Sequence, residues 1–330
     1  MRLSFLQSSS KKHLHNFILA VLFASILFLS SCSPGSQEPI QYYTGYNGVD
    51  LEIEAFSDVV PRGSEFPLKV TLTNKGAYDS DVVVQVFYPF PYISYVTSKT
   101  FKPPESGQEN YIYLTKKDFE GKNREHPSES KDVDLIRFKA NLLDMQSQKT
   151  VSLSFDYCYT YSTYVNTQLC INPDYNLNAV EPICEIKPIT FSGGQGSIIA
   201  VSRIEPTEIL DGEKVNVTLR VYLTNHGSGE IASFAPSEDI SKLKESCFNS
   251  KDSKDSKDFF KKAKIRIKNL TVGSKEIDDL RNKVINLDDD NSFEIKFPAD
   301  KYDNSPYVTN LNLEFDFVYI DSESVMVTIQ

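Results

Sequence analysis

Alternation of apolar and polar residues is the strongest pattern in this chain. Residues 215–224 place an apolar side chain at every second position, in the set Val215, Val217, Leu219, Val221 and Leu223. Residues 66–73 do the same with Phe66, Leu68, Val70 and Leu72. A period of two puts one face of a β-strand in a core and the other in water. The pattern therefore predicts an all-β protein.

The chain carries this pattern twice. LKVTLTNKG at 68–76 matches LRVYLTNHG at 219–227 with an offset of 151, and LSFDYCYTYS at 153–162 matches LEFDFVYIDS at 313–322 with an offset of 160. The difference of nine equals three SKD units at 250–258, which we interpret as a low-complexity insertion in a solvent-exposed loop. A duplicated strand-rich unit predicts two antiparallel β-sandwiches in tandem.

Other strands, turns and helices are predicted with the same rules. Strand-like runs lie at Val82–Tyr88, Leu135–Leu142, Ile265–Val272 and Phe293–Phe297. The shared TN-x-G predicts a turn in which Gly76 and Gly227 adopt positive φ. Helical periodicity is weak, with its best candidate at Asp258–Lys264 and a second at Ile277–Val284.

The stretch TFSGGQG at 190–196 resembles the signature sequence of ABC-type ATPases. That signature requires a helix directly after the glycines, whereas Ser197–Ile204 is rich in β-branched residues and precedes Pro206, which predicts a strand. The chain also has no G-x-x-x-x-G-K-[ST] phosphate loop. We therefore exclude a nucleotide-driven enzyme and interpret the glycines as a flexible joint between domains.

Two segments resemble the CARDB-like and related Ig-like modules of prokaryotic surface proteins. They run from Gly63 to Gly76 and from Gly212 to Gly227, and the first departs from the pattern in having Ser64 between its glycine and Glu65. The sequence around CYTYSTYVNTQLCI at 158–171 is also similar to a group of uncharacterised exported archaeal-type lipoproteins with paired sandwiches. The resemblance implies sandwiches at 47–171 and 197–330, a Pro/Gly-containing linker at 172–196, and no particular activity.

The N-terminus predicts export. Basic residues precede an apolar run from Phe17 to Leu29, which is too short to cross a bilayer and is typical of a signal peptide. Leu29-Ser30-Ser31-Cys32 resembles a lipoprotein signal-peptidase box, which implies a signal peptide at 1–31, lipid such as palmitate on Cys32, and a tether at 32–46. An uncleaved anchor is the alternative, and it places the protein outside the same membrane.

Charge narrows the choice of partners. The net charge is −10, and removal of the signal peptide, which has three basic residues and no acidic ones, makes it −13. Nucleic acids and anionic membrane surfaces repel such a chain, so we predict no nucleic-acid partner and a membrane contact through lipid alone.

Four cysteines remain besides Cys32: Cys158, Cys170, Cys184 and Cys247. An even number in an exported chain predicts two disulfides. The sequence allows three pairings; we prefer Cys170–Cys184, which leaves Cys158–Cys247 as a clasp between the domains. A Cys158–Cys170 pair across a hairpin is the alternative. No C-x-x-C pair occurs, so no metal site and no cofactor are predicted.

Few residues offer catalytic chemistry. Outside the signal peptide only His126 and His226 could serve as the base of a Ser-His-Asp triad, and both lie in predicted turns. Asp288–Asp290 could bind calcium but lacks the spacing of an EF-hand, so we interpret it as a solvated turn.

Aromatic residues suggest a binding surface. Phe90, Tyr92 and Tyr95 lie around Pro89 and Pro91, which interrupt any central strand, so we predict an exposed aromatic loop. Asn216 and Asn269 head N-x-[ST] sequons and are candidates for glycosylation.

Taken together, these features predict a non-catalytic cell-surface lipoprotein that binds protein or glycan partners or acts as a spacer. The alternatives are an enzyme acting on envelope polymers and a solute-binding lipoprotein of a transporter. The second alternative usually requires an α/β architecture with a cleft, which the strand periodicity does not favour.

Overall fold

A computed structural model describes residues 43–104, 110–142, 147–172, 184–211, 214–237, 239–252, 262–300 and 306–330. Strands dominate these residues and pair antiparallel almost throughout, which confirms the predicted all-β class. The predicted signal peptide, Cys32 and most of the tether lie outside the described residues.

The first copy contains strands β1 to β8, of which β8 is the longest. They are β1 Val49–Ala55, β2 Val59–Val60, β3 Glu65–Asn74, β4 Ser80–Phe87, β5 Ile93–Thr97, β6 Tyr111–Phe119, β7 Ser130–Ala140 and β8 Lys149–Ile171. The second copy follows the same plan. Its strands are β9 Ile189–Thr190, β10 Ile199–Asp211, β11 Lys214–Asn225, β12 Glu230–Ile231, β13 Lys264–Val272, β14 Lys275–Glu276, β15 Val284–Asn286, β16 Ser292–Asp300 and β17 Tyr307–Ile329. Helix α1 covers Ile240–Asp252, and a 3-10 turn covers Asp278–Leu280.

Three sheets are formed, and the largest contains strands from both copies. Two four-stranded sheets have the orders β1-β3-β7-β5 and β16-β11-β10-β9. The nine-stranded sheet runs β14-β13-β17-β8-β4-β6, with β2, β12 and β15 paired at its sides. Residues that alternate inward from all three sheets share one hydrophobic core. The two copies are therefore joined by a continuous central sheet.

An internal two-fold symmetry relates the copies within this sheet. Strands β8 and β17 are both 23 residues long, and they pair in unbroken antiparallel register from Lys149–Ile329 to Ile171–Tyr307. Thr160 pairs with Val318 at the midpoint of both strands. Equivalent residues in the two strands differ by 158, so Thr160 and Val318 are also equivalents of each other. The pseudo-symmetry axis consequently passes between them.

The predicted alternation is visible in the burial of the paired strands. On β11, Val215, Val217, Leu219 and Val221 are fully buried, whereas Asn216 between them is exposed. Burying an aliphatic side chain contributes about 1.5–3 kcal/mol, so these faces account for much of the attraction between the layers. Strand β10 continues through Pro206, where β9 no longer pairs with it. Proline is tolerated there because that part of β10 is a sheet edge.

The TN-x-G turns are held by a tyrosine from the last strand of the same copy. The Tyr161 hydroxyl donates to Asn74 Oδ1 at 3.2 Å, and the Tyr319 hydroxyl donates to Asn225 Oδ1 at 3.1 Å. Tyr161 is thus the counterpart of Tyr319, and the sequence offset of 160, which aligns Tyr159 with Tyr319, is wrong by two. A two-residue shift keeps every side chain on its own face of a strand, so alternation alone cannot detect it.

The glycines of these turns are required for space. Neither Gly76 nor Gly227 has positive φ, so our prediction for them is wrong. A Cβ at Gly76 would collide with the Tyr161 hydroxyl, and a Cβ at Gly227 would collide with the Tyr319 hydroxyl. The motif therefore keeps glycine so that the tyrosine can approach the turn.

Removal of either hydroxyl should weaken its turn. We expect Tyr161→Phe and Tyr319→Phe each to lower the free energy of unfolding by about 1–2 kcal/mol, because each leaves an asparagine oxygen with one partner fewer. Urea unfolding monitored by fluorescence would measure the change. Tyr164→Phe is the matched control, since its hydroxyl bonds to Asn312 on an exposed face and should cost under about 0.5 kcal/mol. Equal effects in all three variants would contradict the role of the turns.

The segment SGGQG is fixed by hydrogen bonds, so the predicted flexible joint is wrong for residues 192–196. Gln195 is buried, its amide oxygen accepts the Val201 N–H at 2.9 Å, and its amide nitrogen donates to the Val201 carbonyl. Gly194 and Gly196 have positive φ, and the Gly196 N–H donates to the Gly45 carbonyl at 3.0 Å. The glycines allow this close approach to the backbone of Gly45. Residues 173–183 of the predicted linker lie outside the described residues.

Helix α1 was not predicted. The Asp239 carboxylate accepts the Ser241 N–H at 2.9 Å and caps the helix, whose Leu243 and Cys247 are buried one turn apart. The predicted helix at 258–264 is wrong where it is described, because β13 begins at Lys264. The first SKD unit continues α1 rather than beginning a loop, and residues 253–258 lie outside the described residues.

Candidate binding surfaces

The predicted aromatic loop divides into one exposed residue and two that support the core. The Phe90 side chain is 60% exposed. Tyr95 is half-buried, its hydroxyl donates to the Phe101 carbonyl at 3.0 Å, and its ring packs against Phe138. Tyr92 is also half-buried, with the Lys149 ammonium 5.5 Å from its ring centre. Only Phe90 of the three is placed as a contact residue should be.

A second exposed apolar side chain lies on a neighbouring loop. Asn141 connects the two loops, because its N–H donates to the Tyr92 carbonyl at 2.9 Å and its side-chain amide donates to the Pro91 carbonyl at 2.6 Å. The next residue, Leu142, is 79% exposed. We call Phe90 and Leu142 the aromatic tip. Neighbouring exposed apolar groups of this kind often mark a protein or ligand contact.

The two histidines do not form a catalytic triad. The His226 ring is stacked on Tyr46 with ring centres 3.7 Å apart, and the backbone N–H of His226 donates to the Ile198 carbonyl. His126 is exposed, and its Nδ1 lies 3.7 Å from a Glu120 carboxylate oxygen. Their contacts are those of turn residues, and no serine contacts either imidazole among the hydrogen bonds of the described residues.

The acidic turn Asp288–Asp290 is balanced by cations. Arg220 lies 3.1 Å from Asp290 and 3.8 Å from Asp288, and Lys262 lies 3.6 Å from Asp289. These ion pairs use the oxygens that calcium would need. Within the described ranges, no group of three or more His, Cys, Asp or Glu side chains has the arrangement of a metal site.

Both disulfides of the preferred pairing are present. Cys170 is bonded to Cys184, and Cys158 on β8 is bonded to Cys247 on α1. Cys158, Val83 and Val318 form a small apolar cluster with Leu243 and Cys247 of the helix. The second bond therefore fastens a helix of the second copy onto a strand of the first.

The sequons differ in accessibility. Asn216 is exposed on β11. Asn269 is half-buried at a bulge of β13, and its side-chain oxygen is buried without a hydrogen-bond partner. Glycosylation at both positions stays a prediction, and Asn216 is the better-placed acceptor.

A polar cleft of about 260 Å³ lies near the pseudo-symmetry axis. Arg266 forms a bidentate ion pair with the buried Asp316, while Asp79 and Asp81 accept N–H groups from the end of β6 and the residues after it. Burial raises the pKa of Asp316, and the bond from Arg266 opposes this shift. The cleft could not be predicted because its residues come from separate strands. Each of these carboxylates has a hydrogen-bond partner within its own copy.

Glu208 is the most perturbed carboxylate of the described residues. It is buried on β10, where Oε2 accepts the Asn172 N–H at 2.9 Å and Oε1 has no hydrogen-bond partner. Burial raises the pKa of Glu208 to about 7. Among the described residues, no base, nucleophile or cluster of metal ligands is found with Glu208. We therefore interpret it as a buried carboxylate whose ionisation affects stability.

Among the described residues, no helix is both long enough and apolar enough to span a bilayer. No protein-family model matches the chain, and no curated protein matches it.

Two solved structures show a weak likeness. One is the Enterococcus faecalis MSCRAMM ACE, described as binding its ligands by the collagen hug model, with 10% identity over 88% of this chain and 97% of that chain and a TM-score of 0.22. The other is the partial N-terminal region of an enterococcal surface protein, with 9% identity over 84% of this chain and 86% of that chain and a TM-score of 0.23. The all-β fold is defined by the strands and sheets of the chain itself.

Proposed function

We propose that this protein is a non-catalytic, extracytoplasmic lipoprotein, attached to the membrane through Cys32, that binds a protein or glycan partner through its aromatic tip. The observation that carries the binding role is the exposure of Phe90 and Leu142 on two loops that Asn141 joins by hydrogen bonds. Aromatic faces stack on sugars and are enriched in protein interfaces.

The disulfides support the location. Bonds such as Cys158–Cys247 persist in oxidising compartments and are rare in the cytosol. A short apolar leader before Cys32 fits the same route, because it would direct the chain across the membrane and then anchor it by lipid. Membership of the exported CARDB-like lipoproteins is part of this proposal.

The contacts of the histidines support a role without catalysis. A general base needs hydrogen-bond reach to a nucleophile, whereas His226 is stacked on Tyr46 and His126 faces Glu120. An enzyme acting on envelope polymers would need a different pair of groups.

Photo-crosslinking on intact cells tests the proposal. We expect a benzoylphenylalanine at position 90 to capture one or a few envelope partners, while the same group at Ile209 captures none of them. Ile209 is the matched control because its side chain is 63% exposed and apolar but lies on β10. Mass spectrometry of the same samples should show lipid on Cys32. Equal capture from both positions would contradict the binding surface, and an unmodified Cys32 in mature protein would contradict the anchor.

A further inference from the structure

We propose that strand β17, between Asp321 and Val327, binds an extended peptide of a partner protein by β-strand addition. The inference rests on the proposed binding role but uses a surface separate from the aromatic tip. It names the chemistry of the partner: a strand that alternates basic and apolar residues.

The backbone groups that would receive the peptide can be identified from the register. The pairing of β17 with β8 is unbroken, so alternate residues of β17 direct their N–H and C=O away from β8. The Val318 carbonyl accepts the Ala232 N–H at 2.8 Å, and the Thr328 N–H donates to the Asp58 carbonyl at 2.8 Å. The backbone N–H and C=O groups of the even-numbered residues therefore point away from β8. Those of Ser322, Ser324 and Met326 lie on the open edge.

This edge is a gap bounded at both ends. Strand β12 pairs with β17 as far as Ile320, and β2 pairs with it from Thr328. No backbone partner for residues 321–327 is found on that side within the described part of the chain. Seven residues span about 24 Å, which is the length of an ordinary strand. The Ser322 N–H is held by the Asp321 carboxylate at 2.8 Å and would exchange that bond for a peptide carbonyl.

At the symmetry-related position of the first copy, the outward N–H has a different partner. The residue of β8 equivalent to Ser322 is Tyr164, whose N–H donates to the Tyr78 hydroxyl oxygen at 3.0 Å. The side-chain hydroxyl of Thr163 beside it donates to the Ile199 carbonyl. The outward N–H at this strand position is thus bonded to a tyrosine hydroxyl from another part of the fold in the first copy and to the neighbouring Asp321 side chain in the second.

The side chains along the gap specify the occupant. Exposed edges are commonly guarded by lysine or proline, and residues 321–327 contain neither. The odd-numbered side chains are Asp321 and Glu323, followed by Val325 and the buried Val327, and the even-numbered ones are Ser322, Ser324 and Met326, which is 68% exposed. A strand with basic residues beside Asp321 and Glu323 and apolar residues beside Met326 complements these side chains. A second copy of this acidic chain brings carboxylates to the same edge and is disfavoured.

Peptide binding to the purified, disulfide-intact protein tests the proposal. The probe is a fluorescein-labelled octapeptide of alternating lysine and valine, followed by anisotropy, with hydrogen exchange of the protein read in parallel. We expect binding to protect the amides of Ser322, Ser324 and Met326. The same peptide N-methylated at alternate residues should bind more than tenfold more weakly, because it cannot complete the ladder, and a peptide with glutamate in place of lysine should also bind more weakly.

Two variants locate the site. Ser324→Pro removes an outward N–H without removing a bond to β8, and should weaken binding more than tenfold while circular dichroism and the melting temperature show a folded protein. Glu323→Lys should shift preference to the glutamate peptide, whereas Glu294→Lys on β16 should not. Unchanged binding in folded Ser324→Pro, protection elsewhere, or dimerisation through this edge without peptide would overturn the proposal. Crosslinking from position 90 does not involve β17. A negative result in the peptide experiment would therefore not contradict the proposed function.

Discussion

Replacing Cys158 and Cys247 by serine should lower the free energy of unfolding by about 4 kcal/mol. The two cysteines are 89 residues apart, and a cross-link over a loop of this size restricts the unfolded chain strongly. The same change should loosen α1, since a 13-residue helix has little stability of its own and depends on its packing against the sheet. Urea unfolding would give the energy, and hydrogen exchange at residues 240–247 would report the helix.

The other disulfide provides the control. Cys170 and Cys184 are only 14 residues apart, so their serine variant should lose about 3 kcal/mol and leave the exchange of α1 unchanged. If α1 keeps its protection in the Cys158→Ser/Cys247→Ser protein, the disulfide is not what holds the helix to the first copy.

Glu208 should make the protein less stable as pH rises. Its pKa is raised to about 7 in the folded protein, whereas an exposed glutamate has a pKa of about 4.3. Between these values the folded state binds a proton that the unfolded chain has released, so the free energy of unfolding falls as pH increases through this window and is level above it. The full shift corresponds to roughly 3.5 kcal/mol. Chemical unfolding at intervals from pH 4.5 to 8 would measure the slope.

Glu208→Gln should remove this slope, because an amide does not titrate but can still accept the Asn172 N–H. We expect it to be more stable than the parent by about 2 kcal/mol at pH 8, since its unpartnered amide group costs part of the gain. Glu294→Gln on the exposed face of β16 should retain the parent's pH dependence. A parent protein whose stability is level from pH 5 to 7 would show that Glu208 ionises normally.

The strands could be predicted because each depends on a local pattern. Inward residues such as Leu68 on β3 and Val217 on β11 are buried as their alternation indicates. The pairing of β8 with β17 could not be predicted, because a period of two identifies a face but not a neighbour. Helix α1 was missed because it has few apolar residues among its serines and lysines, namely Ile240, Leu243, Cys247 and Phe248. Three of them, Ile240, Leu243 and Cys247, recur at helical spacing. That i, i+3, i+7 spacing after a capping Asp239 was the available signal.

The candidate sites were predictable only where one residue determines them. Phe90 is exposed because two prolines interrupt the strand around it, whereas Tyr92 and Tyr95 are drawn inward by partners that lie far along the chain, Lys149 and Phe138. The open edge of β17 depends on where β2 and β12 end. An edge is a property of the assembled sheet, so no local motif marks it.

Fusion of the halves into one polypeptide permits differences that identical subunits could not have. In a homodimer, the residue on the dyad must face itself, yet here a threonine faces a valine across β8 and β17. One side of the dyad can therefore hold a covalently fastened helix while the other retains a water-accessible pocket of mixed charge. Each half is free to specialise without disturbing the ladder that unites them.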